Sequence, residues 1–196
     1  MIHGPATAAK IVLIDLDGVL ADFASGFANE WNRNMGAVFP ALAHKHRQHF
    51  YIKDDYPPAL QHHVDALLQT PGFYRQLPCM PGAVEALARL EAAGHPLWIC
   101  TTAPSTGIQE ISEKLQWIDA QFGDKYVQRT IITPDKTMIH AQILIDDRPH
   151  LCGSRSPDWQ HILFDQPYNR HCNHTIRLRW DTDGVEFLLH YLQTLP

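Results

Sequence analysis

A chain of 196 residues, 45% hydrophobic and 19% charged, can bury a sizeable core as one compact domain with a modest insertion, and its composition excludes a disordered polymer. A formal net charge of −5 excludes the basic footprint that duplex nucleic acid requires. A phosphate-bearing substrate would have to be drawn by a local set of cations, because the global field opposes it.

The first apolar run, Ile11 to Ile14, ends at Asp15-Leu16-Asp17-Gly18. Without alternation and bounded by turn residues, it reads as a strand buried on both faces. Its two aspartates, and the lack of a basic leader before it, argue against a signal peptide or membrane span. Phe23, Phe27 and Trp31 then follow at helical spacing, and a second helix is expected near Ala59 to Leu68. No strong strand pattern intervenes before Pro96, so residues 22–77 read as a helical cap inserted after the first strand. The core would comprise 1–21 and 78–196.

Beyond the insertion, strands and helices alternate. Pro81-Gly82 opens a helix that Gly94 closes. Leu97 to Cys100 is a strand ending at Thr101-Thr102, and Ile108, Ile111, Leu115 and Ile118 mark a helix. Ile131-Ile132 leads to Asp135-Lys136, and Ile143 to Ile145 leads to Asp146-Asp147. Ile162 to Phe164 is a fifth strand candidate, and Val185, Leu188, Leu189 and Leu192 mark the last helix. This alternation predicts an α/β fold with a Rossmann-like parallel sheet.

In such sheets ligands bind beyond the carboxyl ends of the strands. Asp15, Asp17, Thr101, Thr102, Lys136, Asp146 and Asp147 should therefore meet at one crevice. Carboxylates so crowded repel unless a cation joins them, and an all-oxygen set favours Mg²⁺. The chemistry that fits is phosphoryl transfer: Asp15 attacks phosphorus, Asp17 is the general acid and base, and Thr101 and Lys136 hold phosphoryl oxygens. Asp135 alone reads as a helix cap, and the aromatic stripe of the first helix reads mainly as core packing.

Asp15-Leu16-Asp17-Gly18-Val19-Leu20, Thr101, Lys136 and Asp146-Asp147 resemble the four motifs of the haloacid dehalogenase superfamily. Residues 17–23, Pro71-Gly72-Phe73, Ile99 to Thr102, Asp135 to Thr137, Leu144 to Arg148 and Pro157 to Phe164 resemble the 5'(3')-deoxyribonucleotidase family more closely still. The resemblance implies Asp15, the Asp17 carbonyl and Asp146 as Mg²⁺ ligands, with Asp147 close behind. It implies Phe23, Phe73, Thr102 and Arg148 as substrate-pocket residues, with Phe50 and Tyr51 on an aromatic cap segment where tryptophan is expected in place of Tyr51. The implied substrate is a 5'-deoxyribonucleoside monophosphate. The alternatives are another small phosphomonoester, or a regulatory protein that binds phosphate without turnover.

Four cysteines without a CxxC pair point to reduced thiols in a cytoplasmic protein. Thirteen histidines include His44, His46, His49 and His171-Cys172-Asn173-His174, but neither segment has the spacing of a four-ligand zinc site. No membrane partner is expected, and a homodimer is compatible with the sequence.

Overall fold

The structure is a computed structural model that describes residues 9–102, 107–174 and 176–196. A single sheet has strand order β3-β2-β1-β4-β5-β6. Its strands are β1 (Val12–Ile14), β2 (Leu97–Thr101), β3 (Thr130–Ile132), β4 (Ile143–Asp146), β5 (Gln160–Phe164) and β6 (Arg177–Leu178). Every neighbouring pair is parallel. β1 sits between β2 and β4, with Ile14 in register with Ile99 and Ile145. The ends of these three strands, where the polar residues begin, are thereby level.

The helices expected from the sequence are present as α1 (Phe23–Met35), α2 (Gln61–Leu68), α3 (Ala83–Ala92), α4 (Ile108–Phe122) and α6 (Thr182–Thr194). The short α5 (Asp124–Val127) and the edge strand β6 are additional. With only two residues, β6 is too short to leave a periodic signature, and its pairing with β5 defines it. No helix among the described residues is long and apolar enough to cross a membrane. The four cysteines are all free.

Residues 22–77 fold as α1, α2 and short 3-10 turns, without a strand. The chain leaves and re-enters the sheet layer at one point. Asp22 N donates to Pro78 O at 2.8 Å, and Met80 N donates to Leu20 O at 2.7 Å. Phe27, Trp31 and Tyr56 pack together inside this segment, with Trp31 and Tyr56 ring centres 4.5 Å apart. The same hydrophobic cluster continues into Val12 and Ile14 of β1. The α1 stripe is thus core packing, as its spacing suggests.

The β1–α1 loop is built from local bonds and one distant anchor. Leu20 N and Ala21 N both donate to Leu16 O, folding Asp17 back over the strand end. Trp180, from the far end of the chain, donates its indole N–H to Val19 O at 2.8 Å. Trp180→Phe keeps an aromatic ring of smaller size and leaves that buried carbonyl unpaired, a loss expected to cost about 1–3 kcal/mol in addition to the packing lost with the smaller ring. Chemical denaturation checks it; an unchanged midpoint would mean that water or a backbone shift replaces the indole.

Candidate active site

The level strand ends bring the acidic residues together. Asp15 follows β1, and its backbone N–H donates to Ile145 O at 2.9 Å, so β1 and β4 remain paired up to the site. One ligand atom from each of Asp15, Asp146 and Asp147 lies within 4.8 Å of the others. All three side chains are largely withdrawn from water. Lys136 Nζ bridges two of them, at 2.6 Å from Asp15 Oδ1 and 2.6 Å from Asp146 Oδ2. Asp146 Oδ1 accepts from Arg148 N at 2.9 Å.

The electrostatics follow from this crowding. Burial works against the Lys136 charge, but Asp146 and Asp15 outweigh it and hold the ammonium protonated well above the ordinary lysine range. Burial raises Asp15, and Asp146 raises it further, against the pull of Lys136. Asp147 lies well above the usual carboxylate range, through burial first and then the charges of Asp15 and Asp146. One cation cannot balance this many carboxylates in a buried crevice. Asp147 Oδ1 is buried without a hydrogen-bond partner in the described structure. A divalent cation with a preference for oxygen fits this donor set: it would supply both the missing charge and the missing partner. The three carboxylates are the only group of three or more histidine, cysteine or acidic residues so placed among the described residues.

Asp17 belongs to the site but not to that trio. Its Oδ2 accepts from Lys114 Nζ at 2.6 Å, while Oδ1 has no partner in the described structure. Lys114 also donates to Thr102 O at 3.0 Å and lies 5.2 Å from the centre of the Tyr74 ring. Sequence reasoning missed Lys114, which lies mid-helix among polar residues. Its neighbour Glu113 is buried as well, accepting from Gly72 N at 2.6 Å and Tyr74 N at 3.2 Å. One turn of α4 thus fixes both Asp17 and the Pro71-Gly72-Phe73 segment. The buried face of the helix also carries Trp117, whose indole donates to Leu77 O at 2.7 Å, whereas Ile108, the first residue that marked the helix, is exposed.

A cavity of about 480 Å³ opens over these groups. Asp15, Asp17, Thr101, Lys136, Asp146 and Asp147 line its floor, and Phe23, Phe50, Tyr51, Thr102 and Arg148 are among its walls. Arg148 extends from the end of β4 to the inserted segment, donating to the Tyr51 hydroxyl at 3.2 Å with its guanidinium 5.4 Å from the centre of the Phe50 ring. Phe73 is the exception among the expected pocket residues. It is 5% exposed and packs edge-on behind Phe23, ring centres 5.7 Å apart, so it supports the wall without lining it. Asp135 caps the 3-10 turn that carries Lys136, as expected, and also accepts from Ser154 N at 2.7 Å. That second contact holds the loop after Arg148 against the site. Arg47, Lys53, Asp54, Cys152 and Tyr168 also line the cavity, and no sequence pattern marked them.

Comparison with known proteins agrees with the geometry. A family model described as "5' nucleotidase, deoxy (Pyrimidine), cytosolic type C protein" matches residues 9–190. A Bordetella bronchiseptica protein, provisionally named a 5'(3')-deoxyribonucleotidase, is 40% identical over 170 residues, which span 87% of this chain and 91% of that one. The human cytosolic-type 5'(3')-deoxyribonucleotidase is 34% identical over 168 residues, 82% of each chain. Among solved structures, a Deinococcus radiodurans HAD family hydrolase with bound phosphate and sodium superposes with a TM-score of 0.58, covering 97% of this chain and all of that one; at 14% identity the likeness is one of fold. Over nearly its whole length, then, this chain belongs to the 5'(3')-deoxyribonucleotidase family.

Proposed function

We propose that the protein hydrolyses 5'-deoxyribonucleoside monophosphates through a phospho-aspartate on Asp15, with Mg²⁺ held by Asp15, Asp146, the Asp17 carbonyl and Asp147. The observation that carries this reading is the convergence of Asp15, Asp146 and Asp147 on one point, the first two bridged by Lys136, at the floor of the cavity. When bound, Mg²⁺ supplies positive charge that offsets the repulsion between a carboxylate and a phosphate dianion.

The chain's own residues divide the remaining work. An Asp15 carboxylate oxygen forms a bond to phosphorus as the bond from phosphorus to the ester oxygen breaks. Asp17 gives its proton to that departing oxygen, and the nucleoside leaves with it. Asp17 then takes a proton from water, whose oxygen attacks phosphorus. The bond to Asp15 breaks, releasing inorganic phosphate and restoring the carboxylate. Lys114 keeps Asp17 in place throughout. Thr101 and Lys136 hold the phosphoryl oxygens, and Lys136 also keeps Asp15 oriented. Residues 22–77 act as a cap: Phe23 and Phe50 offer rings to the base, and Tyr51 meets Arg148 across the mouth. This assigns a function to Asp17 that a protein merely binding phosphate would not need.

Asp15→Asn should bring steady-state phosphate release below detection while leaving thermal unfolding near that of the wild type, since the amide matches the carboxylate in size and is a poor nucleophile. Asp17→Asn should slow turnover by about 10²–10⁴-fold. Near-normal release by Asp15→Asn would end the covalent reading.

The raised carboxyls predict how stability varies with pH. Asp15 and Asp147 have folded-state values above the ordinary 3.8, so the folded protein holds protons that the unfolded chain has released. Their share of metal-free stability should therefore fall as pH rises through about 4 and onward to the raised values, opposite in sign to the share of Asp55, Glu91, Asp135, Asp158 and Asp165, whose carboxyls lie below the usual range, and saturating Mg²⁺ should flatten that fall. Denaturant midpoints with and without Mg²⁺ give the slopes. A metal-free midpoint whose pH dependence is the same in the wild type and in Asp147→Asn would contradict the assigned charge states.

The substrate's sugar gives a further measurement. A 2'-hydroxyl held against the apolar cap wall loses its water partners, at about 1–3 kcal/mol or 5–150-fold in specificity. kcat/KM should therefore favour dUMP over UMP, and Phe23→Ala should lower both. Tyr51→Phe reports whether the tyrosine hydroxyl contributes beyond its contact with Arg148. Equal kcat/KM for the two nucleotides in the wild type would remove the deoxyribonucleotide assignment and leave phosphomonoester hydrolysis.

A further inference from the structure

Asp147 is the most enclosed carboxylate whose orientation the mechanism leaves unexplained. Its Oδ2 accepts a hydrogen bond from the Tyr168 hydroxyl, and its backbone carbonyl accepts from Asn169 Nδ2 at 2.8 Å. Its Oδ1 is buried and unpartnered in the described structure, and the Asp147 ligand atom belongs to the acidic trio. The carboxylate is wedged against the β1–α1 loop. A Cβ on Gly18, where φ is +82°, would lie 2.2 Å from Asp147 Oδ2 and 2.9 Å from the Tyr168 hydroxyl. No side chain other than hydrogen leaves room for this contact.

Tyr168 is itself held from the opposite side by the inserted segment. It is 4% exposed. The Arg47 guanidinium lies 4.3 Å from its ring centre, and the Phe50 ring meets it edge-on at 6.1 Å. Arg47 is buried too, and two of its nitrogens are engaged within the same segment. Nε donates to Asp55 at 3.0 Å, and Nη2 donates to the carbonyls of His49 and Phe50, each at 2.9 Å. Tyr168 is thus the layer between an acidic residue at the end of β4 and the backbone that presents Phe50 and Tyr51.

We infer that Tyr168 is a positioning residue that pins Asp147 Oδ2, so that Oδ1 is the oxygen offered to the cation, and that Arg47 locks Tyr168 in that pose. The inference rests on the metal reading above. A carboxylate free to rotate would present either oxygen and would pay to be ordered on binding; one pinned by a hydroxyl arrives ordered. The arrangement also ties the backbone of residues 49–50 to the metal side of the site through a single ring.

The test is Mg²⁺ binding, measured by titration calorimetry on the full chain without nucleotide. Tyr168→Phe keeps the ring under Arg47 and removes only the hydroxyl, and should weaken Mg²⁺ by about 10-fold or more, the usual effect of losing a partner behind a metal ligand. In an Asp147→Asn background the same change should alter Mg²⁺ affinity by no more than about 2-fold, because coupled residues do not act additively. Arg47→Lys removes the planar guanidinium over the ring and should weaken Mg²⁺ in the same direction, providing the second variant if Tyr168→Phe does not fold. Metal-free thermal unfolding of each variant separates loss of fold from loss of affinity. Wild-type affinity in a folded Tyr168→Phe, or an undiminished Tyr168→Phe effect in the Asp147→Asn background, overturns the inference. If the wild type itself gives no Mg²⁺ binding, the metal reading fails and this one fails with it.

Discussion

Three carboxylates from the ends of two adjacent strands meet where water is largely excluded, and a single ammonium, Lys136, holds two of them 2.6 Å away on either side. Each feature of the site responds to that crowding. Without Lys136, Asp15 and Asp146 would face each other across a low-dielectric gap, where like charges cost far more than at the surface. With it, an excess of negative charge and an unpartnered Asp147 oxygen still remain. That residual demand is what a divalent cation would meet, and its charge would in turn admit an anionic phosphoryl group.

The fold makes this crowding unavoidable. β1 is central, flanked by β2 and β4 in exact-level register at Ile14, Ile99 and Ile145, so whatever follows those strands must converge. The insertion then leaves the β1 end and returns beside it, pinned by backbone bonds between residues 20–22 and 78–80. Its hydrophobic cluster is continuous with that under β1, which fixes the base of the segment while its polar turns overhang the cavity. Helix α4 braces it from the other side: Glu113 and Trp117 hold the returning chain, and Lys114 between them holds Asp17. The cavity wall and Asp17 therefore share one support.

Much of this was legible in the sequence because buried parallel strands advertise themselves. Unbroken runs such as Leu97 to Cys100 and Ile143 to Ile145 have no alternative reading once they recur between helical patterns, and their polar exits mark the crevice. What escaped were residues whose role depends on distant geometry. Lys114 reaches Asp17 across 97 positions of sequence, and Tyr168 reaches Asp147 across 21. A lysine inside a polar helix stretch and a tyrosine in a Pro-Tyr-Asn turn carry no local signature of burial. Phe73 shows the converse. Its motif correctly marks the neighbourhood of the pocket, but the local turn directs the ring behind Phe23, one layer from the wall. β6 is too short for pattern reading and is fixed by its neighbour β5.

The central claim is that Asp15 carries the phosphoryl group. A single turnover with excess enzyme, dUMP and Mg²⁺, quenched in acid and digested, would allow the peptide containing Asp15 to be examined by mass spectrometry. The account predicts a transient phosphoryl adduct on Asp15 that appears before inorganic phosphate and decays as phosphate accumulates. Phosphate released in that single turnover with no adduct on Asp15 at any quench time would contradict it.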